Sequence, residues 1–349
     1  MKLSSDDSFT HGDTYLKVRD KYPEIRDFSA NINHKSPEYV NGKKTEVLRH
    51  YPAGEEKIEV VIGRLITTDP GKIIATYGMT SLINYVYQLH SGKNVLLIEP
   101  IFSEHRRAAE ASSCKITRLS MGALIKNMEI LKNFNYDLIS LNIPVNPTGE
   151  MLSHKEIEAI IRISMKKDAT VFMDQAYIDF LTTRRQMELK KATEEYPGII
   201  IGRSLTKVSG LPGIRLGFGI CSSGTVRMLR KIRGPWTIPE EYTTILEKWS
   251  EYQPDTNMLL RERENITKEL KKMKLTVLGK SEVNFLSFRL NEQIDPLDFE
   301  RKLMEKGFLI RNLSDFYGFT ANDFRINIRS QEENTELIEA IRAIINERR

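Results

Sequence analysis

One lysine, Lys207, stands between hydroxyl residues and a Gly/Pro-rich turn in Ser204–Leu216, "SLTKVSGLPGIRL", with Arg215 eight positions further on. When burial or a nearby cation depresses its pKa, a lysine amine becomes a nucleophile and forms Schiff bases with carbonyl compounds. A solvated lysine in a surface loop would read the same way, so its neighbours must decide. Ser204 and Thr206 supply hydroxyl donors, and Arg215 offers a two-pronged clamp for phosphate. Asp174 closes the apolar run "TVFMD", where a carboxylate is costly unless a cation or several donors face it. It could be a helix cap or a structural ion pair. It could equally keep a pyridinium nitrogen protonated, so that a bound cofactor acts as an electron sink. Gly78, followed by Thr80 and Ser81 at the start of a helical pattern, makes an anion cradle of backbone N–H groups. An aldehyde trap, a pyridinium partner and a phosphate site are together what pyridoxal 5'-phosphate requires.

These residues are far apart in the chain, so a fold must gather them. From about Lys72, short apolar runs alternate with amphipathic segments. "KIIATYG", "NVLLIEP", "KITRLS", "YDLISLNIP", "TVFMDQAY", "GIIIGRSLT" and "LGFGIC" read as strands. "TSLINYVYQL", "SEHRRAAEASS", "HKEIEAIIRISMKKD" and "GTVRMLRKI" read as helices. That alternation predicts an α/β fold, with a mostly parallel central sheet and helices on both faces. Ligands of such sheets bind outside the carboxyl ends of the strands. Gly78-Met79-Thr80, Asn146, Asp174 and the Ser204/Lys207 pair all fall at such ends. After Pro254 the rhythm turns to α+β: a long charged helix "NMLLRERENITKELKKM", then "LTVLG", "NFLSFRL", "PLDFERKLMEKG", "FLIRNL", "FRINIRS" and a closing helix. The expected division is an N-terminal segment (1–50) packing with the small domain, a large cofactor-binding domain (51–254) and a small C-terminal domain (255–349).

Composition narrows the class. The 349 residues are 40% hydrophobic and 28% charged, and the net charge of +5 comes from 52 basic and 47 acidic residues that are interspersed. This balance argues against a nucleic-acid partner and suits a small anionic substrate. Cys114 and Cys221 form neither a disulfide framework nor a metal cluster, and the six histidines lack metal-ligand spacing, so no metal is expected. No apolar run reaches the 18 or so residues needed to span a bilayer, and "MKLSSDDSFTHGD" lacks the core of a signal peptide. The chain reads as cytoplasmic, with no membrane partner. No Gly-x-Gly-x-x-Gly follows the first strand, "HSGKN" is no P-loop, and "KELKKMK" reads as the solvated face of a helix.

"NPTG" (Asn146–Gly149), "DQAY" (Asp174–Tyr177) and "SLTKVSGLPGIRLG" (Ser204–Gly217) resemble the signatures of fold-type I pyridoxal-phosphate enzymes, the class I/II aminotransferase superfamily. More closely, "HGD", "DFSANIN", "HYP", "DQAYIDF", "PW", "FLIR" and "FRINIRS" follow the order found in threonine-phosphate decarboxylases of cobalamin synthesis, relatives of histidinol-phosphate aminotransferase. The resemblance implies that Lys207 carries the Schiff base and that Asp174 pairs with the ring nitrogen. It implies that Asn146 and Tyr177 bond the ring O3', and that Phe102 stacks on the ring. Gly78, Met79 through its backbone, Thr80, Ser204 and Arg215 would hold the cofactor phosphate. Tyr51 would reach that phosphate from a neighbouring subunit, which implies a homodimer with shared sites.

For the substrate, the resemblance assigns Arg325 to the α-carboxylate. Arg311, with His11 and the backbone of Gly12, would take a second anionic group, and Asn31 is a further substrate-side candidate. Read without the resemblance, the alternation of Arg325, Asn327 and Arg329 is a pattern most often found on a solvated strand face. Two arginines for two anions suit an O-phospho amino acid. The expected reaction is decarboxylation of L-threonine phosphate, with L-serine phosphate a close variant, since one methyl group is worth about 1–3 kcal/mol of discrimination. The alternatives are an aminotransferase of the histidinol-phosphate type, a paralogue acting on another amino acid in specialised metabolism, and a non-catalytic pyridoxal-binding regulator. Departures from the decarboxylase pattern lie at Met79, Thr76–Tyr77, Val145, "HGD" and "HKSPEY".

Overall fold

The connection from Ser204 to Leu216, which carries Lys207 and Arg215, joins two antiparallel neighbours of a large sheet, and this explains much of the site. In the computed structural model, which describes residues 18, 21–29, 31–32, 54–193, 196–239 and 242–347, thirteen strands are present among the described residues. They are β1 (Arg26–Asp27), β2 (Ile73–Tyr77), β3 (Asn94–Glu99), β4 (Lys115–Ser120), β5 (Leu138–Asn142), β6 (Thr170–Asp174), β7 (Ile199–Ser204), β8 (Leu216–Cys221), β9 (Thr276–Leu278), β10 (Phe285–Arg289), β11 (Phe308–Leu309), β12 (Arg311–Asn312) and β13 (Asp323–Asn327). Seven form the large sheet in the order β2-β8-β7-β6-β5-β3-β4, and only β8 runs against its neighbours.

The central strands are apolar on both sides because helices cover both faces. Helix Gly78–Leu89 buries Leu82, Ile83, Val86 and Tyr87 against one face. Helix His154–Met165 buries Ile157, Ile160, Ile161 and Ile163 on the other, and starts with a capping box between Ser153 and Glu156. The β2–β8–β7 register sets Tyr77 opposite Leu216 and Ser204 opposite Gly217, so the start of helix Gly78–Leu89 lies against the β7–β8 connection. Gly217 permits that approach: a Cβ there would sit 2.7 Å from the backbone nitrogen of Met79.

The C-terminal part begins with helix Thr256–Lys272, whose N-cap Asp255 accepts from the backbone of Asn257 and Met258. A four-stranded antiparallel sheet, ordered β12-β13-β10-β9, packs Phe288 and Phe324 with Phe299 of helix Pro296–Glu305. "FLIRNL", expected as one strand, divides at the buried Ile310. Phe308–Leu309 pairs in parallel with β1 near the N-terminus, and Arg311–Asn312 pairs with β13. Helices Glu55–Ile66 and Thr183–Thr193 also stand outside the sequence-based expectation. The two parts meet over the "NPTG" turn. Ser287 donates to the Pro147 carbonyl at 2.7 Å, and Gly149 (φ +75°) lies where a Cβ would strike Ser281. Among the described residues no helix is long and apolar enough to cross a membrane.

Candidate active site

The carboxyl ends of β2, β5, β6 and β7 open into a cavity of about 430 Å3. Met79, Thr80, Phe102, Asn146, Asp174, Tyr177, Ser204, Lys207 and Arg215 line it, as do Asn31, Arg311 and Arg325 from the other side. Every candidate residue that lies in the described chain is therefore at this cavity or, for Gly78, beside it. His11, Gly12 and Tyr51 lie outside the described residues. A larger cleft of about 1190 Å3 between helix Thr256–Lys272 and the 277–282 segment contains none of the candidates.

The anion cradle is built by glycines. Gly78 adopts φ +73°, and a Cβ there would lie 2.9 Å from Nη2 of Arg215. Only glycine combines that left-handed backbone with so close an approach of the guanidinium. The Met79 side chain turns away into the core, where its Cε fills the space that a Cβ on Gly202 would need. Its backbone N–H is left at the helix start. Thr206 donates to the Ile214 carbonyl at 3.1 Å and so ties the turn after Lys207 to the approach of Arg215. Lys207 Nζ stands 6.0 Å from the ring centre of Tyr177, which packs edge-on against Phe285.

Asp174 is 4% exposed. Its Oδ1 accepts from the backbone of Ala176 at 2.9 Å, and its Oδ2 lies 3.3 Å from Nε2 of His105. His105 is fully buried, and its Nδ1 is 3.1 Å from the Tyr87 hydroxyl. Burial pushes the Tyr87 hydroxyl well above its ordinary range, so it stays protonated. A carboxylate can only accept, so the contact at Nε2 is an N–H of His105 pointing at Asp174. Sequence reasoning missed His105; its one signal was its place three residues after Phe102, on the same helix face. It also missed Asn142 at the end of β5, which accepts from the Phe102 N–H and donates to the Pro100 carbonyl, so fixing the ring of Phe102.

Arg325 corrects the expectation of a solvated face. β13 is an inner strand, paired with β10 and β12, and both Arg325 and Asn327 are buried. Arg325 donates to Asn146 Oδ1 and to the Ser29 carbonyl, and its Nε has no partner among the described residues. Burial pushes its guanidinium down to about 10. Arg329 lies beyond the strand, where it pairs with Glu333 at 2.8 Å. Asn31 is 1% exposed, and neither polar atom of its amide has a partner among the described residues. Arg311 is placed by backbone register directly opposite Arg325. Its Nη1 donates to the Asn312 carbonyl at 2.8 Å, and its Nη2 bonds Asp315 at 2.7 Å. Asp315, another residue that sequence reading passed over, also lines the cavity.

A lysine facing a tyrosine, a buried carboxylate, and a glycine-arginine cradle at strand ends suit a phosphorylated pyridine aldehyde. The fold and this donor set define a fold-type I pyridoxal-phosphate enzyme. Residues 42–341 match the family model of aminotransferase class I and II, and the chain belongs to that family, whose cofactor is pyridoxal 5'-phosphate. A relative from Caldanaerobacter subterraneus subsp. tengcongensis, named provisionally as a threonine-phosphate decarboxylase, is 27% identical over 334 residues, covering 91% of this chain and 90% of its own. The histidinol-phosphate aminotransferase of Chlorobaculum tepidum is 29% identical over 289 residues, 79% of each chain. The solved structure of a decarboxylase from Sulfurospirillum multivorans has the same fold, with a TM-score of 0.84 at 21% identity, covering 99% of this chain and 94% of that one.

Proposed function

We propose that this chain is a pyridoxal-phosphate-dependent decarboxylase of an O-phospho amino acid, with L-threonine phosphate as substrate and L-serine phosphate as its close variant. The observation that carries this reading is the cross-strand pair of Arg311 and Arg325, two cations facing the cavity that holds Lys207. A substrate with anions at both ends uses both; an amino acid with one carboxylate engages only one of them.

In this reading Arg325 binds the α-carboxylate, and Asn146, bonded to it, fixes the direction of that group. The Nε of Arg325 and the amide of Asn31, without partners among the described residues, gain them when substrate enters. Arg311, joined by His11 and the backbone of Gly12, binds the phosphate. Gly78, Met79 (by its backbone), Thr80, Ser204 and Arg215 hold the cofactor phosphate, Asp174 keeps the ring nitrogen protonated, Phe102 packs on the ring, and Asn146 and Tyr177 bond its O3'. Bound pyridoxal phosphate supplies the electron sink for a bond broken at the substrate Cα. Lys207 would hold the cofactor's aldehyde carbon and, as a free amine, would carry the proton that the substrate Cα needs once carbon dioxide has left. The chain is further proposed to act as a homodimer in which Tyr51 completes the neighbouring subunit's phosphate site.

The aminotransferases among its relatives support a second reading, in which the same residues hold Cα–H rather than Cα–carboxylate in line for cleavage. The test is incubation of the holoenzyme with threonine phosphate, serine phosphate and histidinol phosphate, with and without 2-oxoglutarate, and product analysis by mass. Carbon dioxide and aminopropanol phosphate formed without a keto acid are the expected result. Turnover only with 2-oxoglutarate assigns the aminotransferase instead.

A further inference from the structure

Arg311 meets the cavity already engaged. Nη2 is common to both two-pronged faces of a guanidinium, and Asp315 holds it at 2.7 Å, while the Asn312 carbonyl takes Nη1 at 2.8 Å. The pair is largely shielded, with side-chain exposures of 13% for Arg311 and 20% for Asp315. A bidentate phosphate therefore needs the nitrogen that Asp315 holds. If both anions stayed, the Asp315 carboxylate and a phosphate would share one cation at close range, and like charges in a partly desolvated site repel strongly. Asp315 also borders a second, smaller hollow, about 40 Å3, together with Arg106 and Arg118. Its loop carries Phe316 in the cavity wall and Tyr317 against the Arg118 guanidinium, 4.4 Å from the ring centre. Asp315 thus stands at the border between the distal end of the cavity and a second charged cluster, in which Glu99 pairs Arg118 at 2.8 Å.

We propose that Asp315 is a specificity-determining residue of the distal subsite: it holds the Nη2 of Arg311 and opposes an anionic phosphate end on that guanidinium. The inference rests on the reading of Arg311 as the distal anion site. Asp315 offsets part of the Arg311 charge, and it sets the affinity for a phosphorylated substrate by a competition inside the protein. An uncharged distal group meets no such barrier, and gains none of the arginine's attraction either.

The test titrates inorganic phosphate into the holoenzyme in phosphate-free buffer by calorimetry. Asp315→Asn keeps the shape of the side chain and removes its charge, and phosphate should then bind about tenfold more tightly, or roughly 1.4 kcal/mol. Asp315→Ser should move affinity in the same direction. Adding Arg311→Gln to Asp315→Asn should abolish the gain, which locates it on Arg311. L-Alanine, which reaches only the α-carboxylate site, should bind all forms with Asp315 replaced as it binds the parent protein. Unchanged or weaker phosphate binding in Asp315→Asn, or a gain that survives the loss of Arg311, overturns the inference. Threonine phosphate is assayed in parallel. If it is decarboxylated while phosphate affinity ignores Asp315, the inference fails and the proposed function stands. If no phospho amino acid reacts while phosphate tightens on Asp315→Asn, the proposed substrate fails and the inference stands.

Discussion

The two sides of the cavity are built on different principles. On the side of the large sheet, several of the polar groups at the cavity are held by the protein itself. Asp174 accepts from Ala176 and faces His105, Thr206 donates to Ile214, and the Thr76 hydroxyl donates to the Gly78 carbonyl at 2.9 Å. On the side of β12 and β13, buried polar groups are left wanting. Among the described residues Arg325 keeps an unpartnered Nε, Asn31 an unpartnered amide, and Arg311 holds an internal carboxylate. A cofactor that stays bound needs a finished socket. A substrate that comes and goes is bound best where the empty site lacks partners that only the ligand can supply, because leaving such groups unpaired costs about 1–3 kcal/mol each.

The largest expected effect removes the link between the two sides. Lys207→Ala should abolish the visible absorbance of the holoenzyme and lower turnover by at least about 10^4-fold, the scale seen when a nucleophile is deleted. An unchanged absorbance spectrum would remove the lysine from its assigned role. Arg325→Met comes next and tests the unfinished side. Losing a buried cation that pairs a carboxylate should weaken substrate binding by about 100-fold or more. Its effect on stability should be small, with Tm moving by no more than about 3 °C. The buried charge, whose guanidinium desolvation already pushes down to about 10, is removed together with its two hydrogen bonds, and these changes offset. A large fall in Tm would show that Arg325 is a structural ion, which would break the comparison.

Legibility in the sequence follows the same divide. The alternation of "NVLLIEP", "YDLISLNIP" and "TVFMD" with amphipathic helices made the sheet readable, because burial on both faces leaves continuous apolar runs. Lys207, Asp174 and Gly78 were readable because their residue types are out of place at the ends of such runs. The splitting of "FLIRNL" was not, since the choice between β1 and β13 as partner depends on contacts about 280 residues apart in one case and 14 in the other. Arg325 and Asn327 were misread by pattern alone. Alternation cannot distinguish an outer face from one turned toward another part of the chain. His105 offered only its spacing from Phe102, because the Asp174 carboxylate that it faces is 69 residues away, and Asp315 stood four residues from Arg311 without any pattern that marked the pair.

Gly78→Ala probes the finished side. The methyl group meets the left-handed backbone penalty of about 1–2 kcal/mol and presses on Arg215 from 2.9 Å. Cofactor affinity should fall by about 30-fold, measured by dialysis and recovery of absorbance, while substrate KM stays within twofold once the cofactor is saturating. A substrate defect that persists at saturating cofactor would mean that the two sides are not separable.

The smallest effect is expected at His105, and it is the most discriminating. The imidazole is held on both sides, by Tyr87 at Nδ1 and by Asp174 at Nε2, so it acts on the reaction only through the Asp174 carboxylate. His105→Phe fills the same space between Tyr87 and Phe172 and removes one hydrogen bond to a charged group. That is worth about 1.5 kcal/mol or roughly tenfold. The loss should fall on kcat and not on KM, because in the proposed arrangement the substrate touches neither residue. Tyr87→Phe should reproduce a smaller part of it, about threefold, by freeing the tautomer of His105 without removing the bond to Asp174. A structural role alone predicts the reverse: lower Tm for both variants, with kcat unchanged once the protein is folded. If KM rises instead, the histidine reaches the substrate side, and the boundary between the finished and unfinished halves of the cavity must be drawn elsewhere.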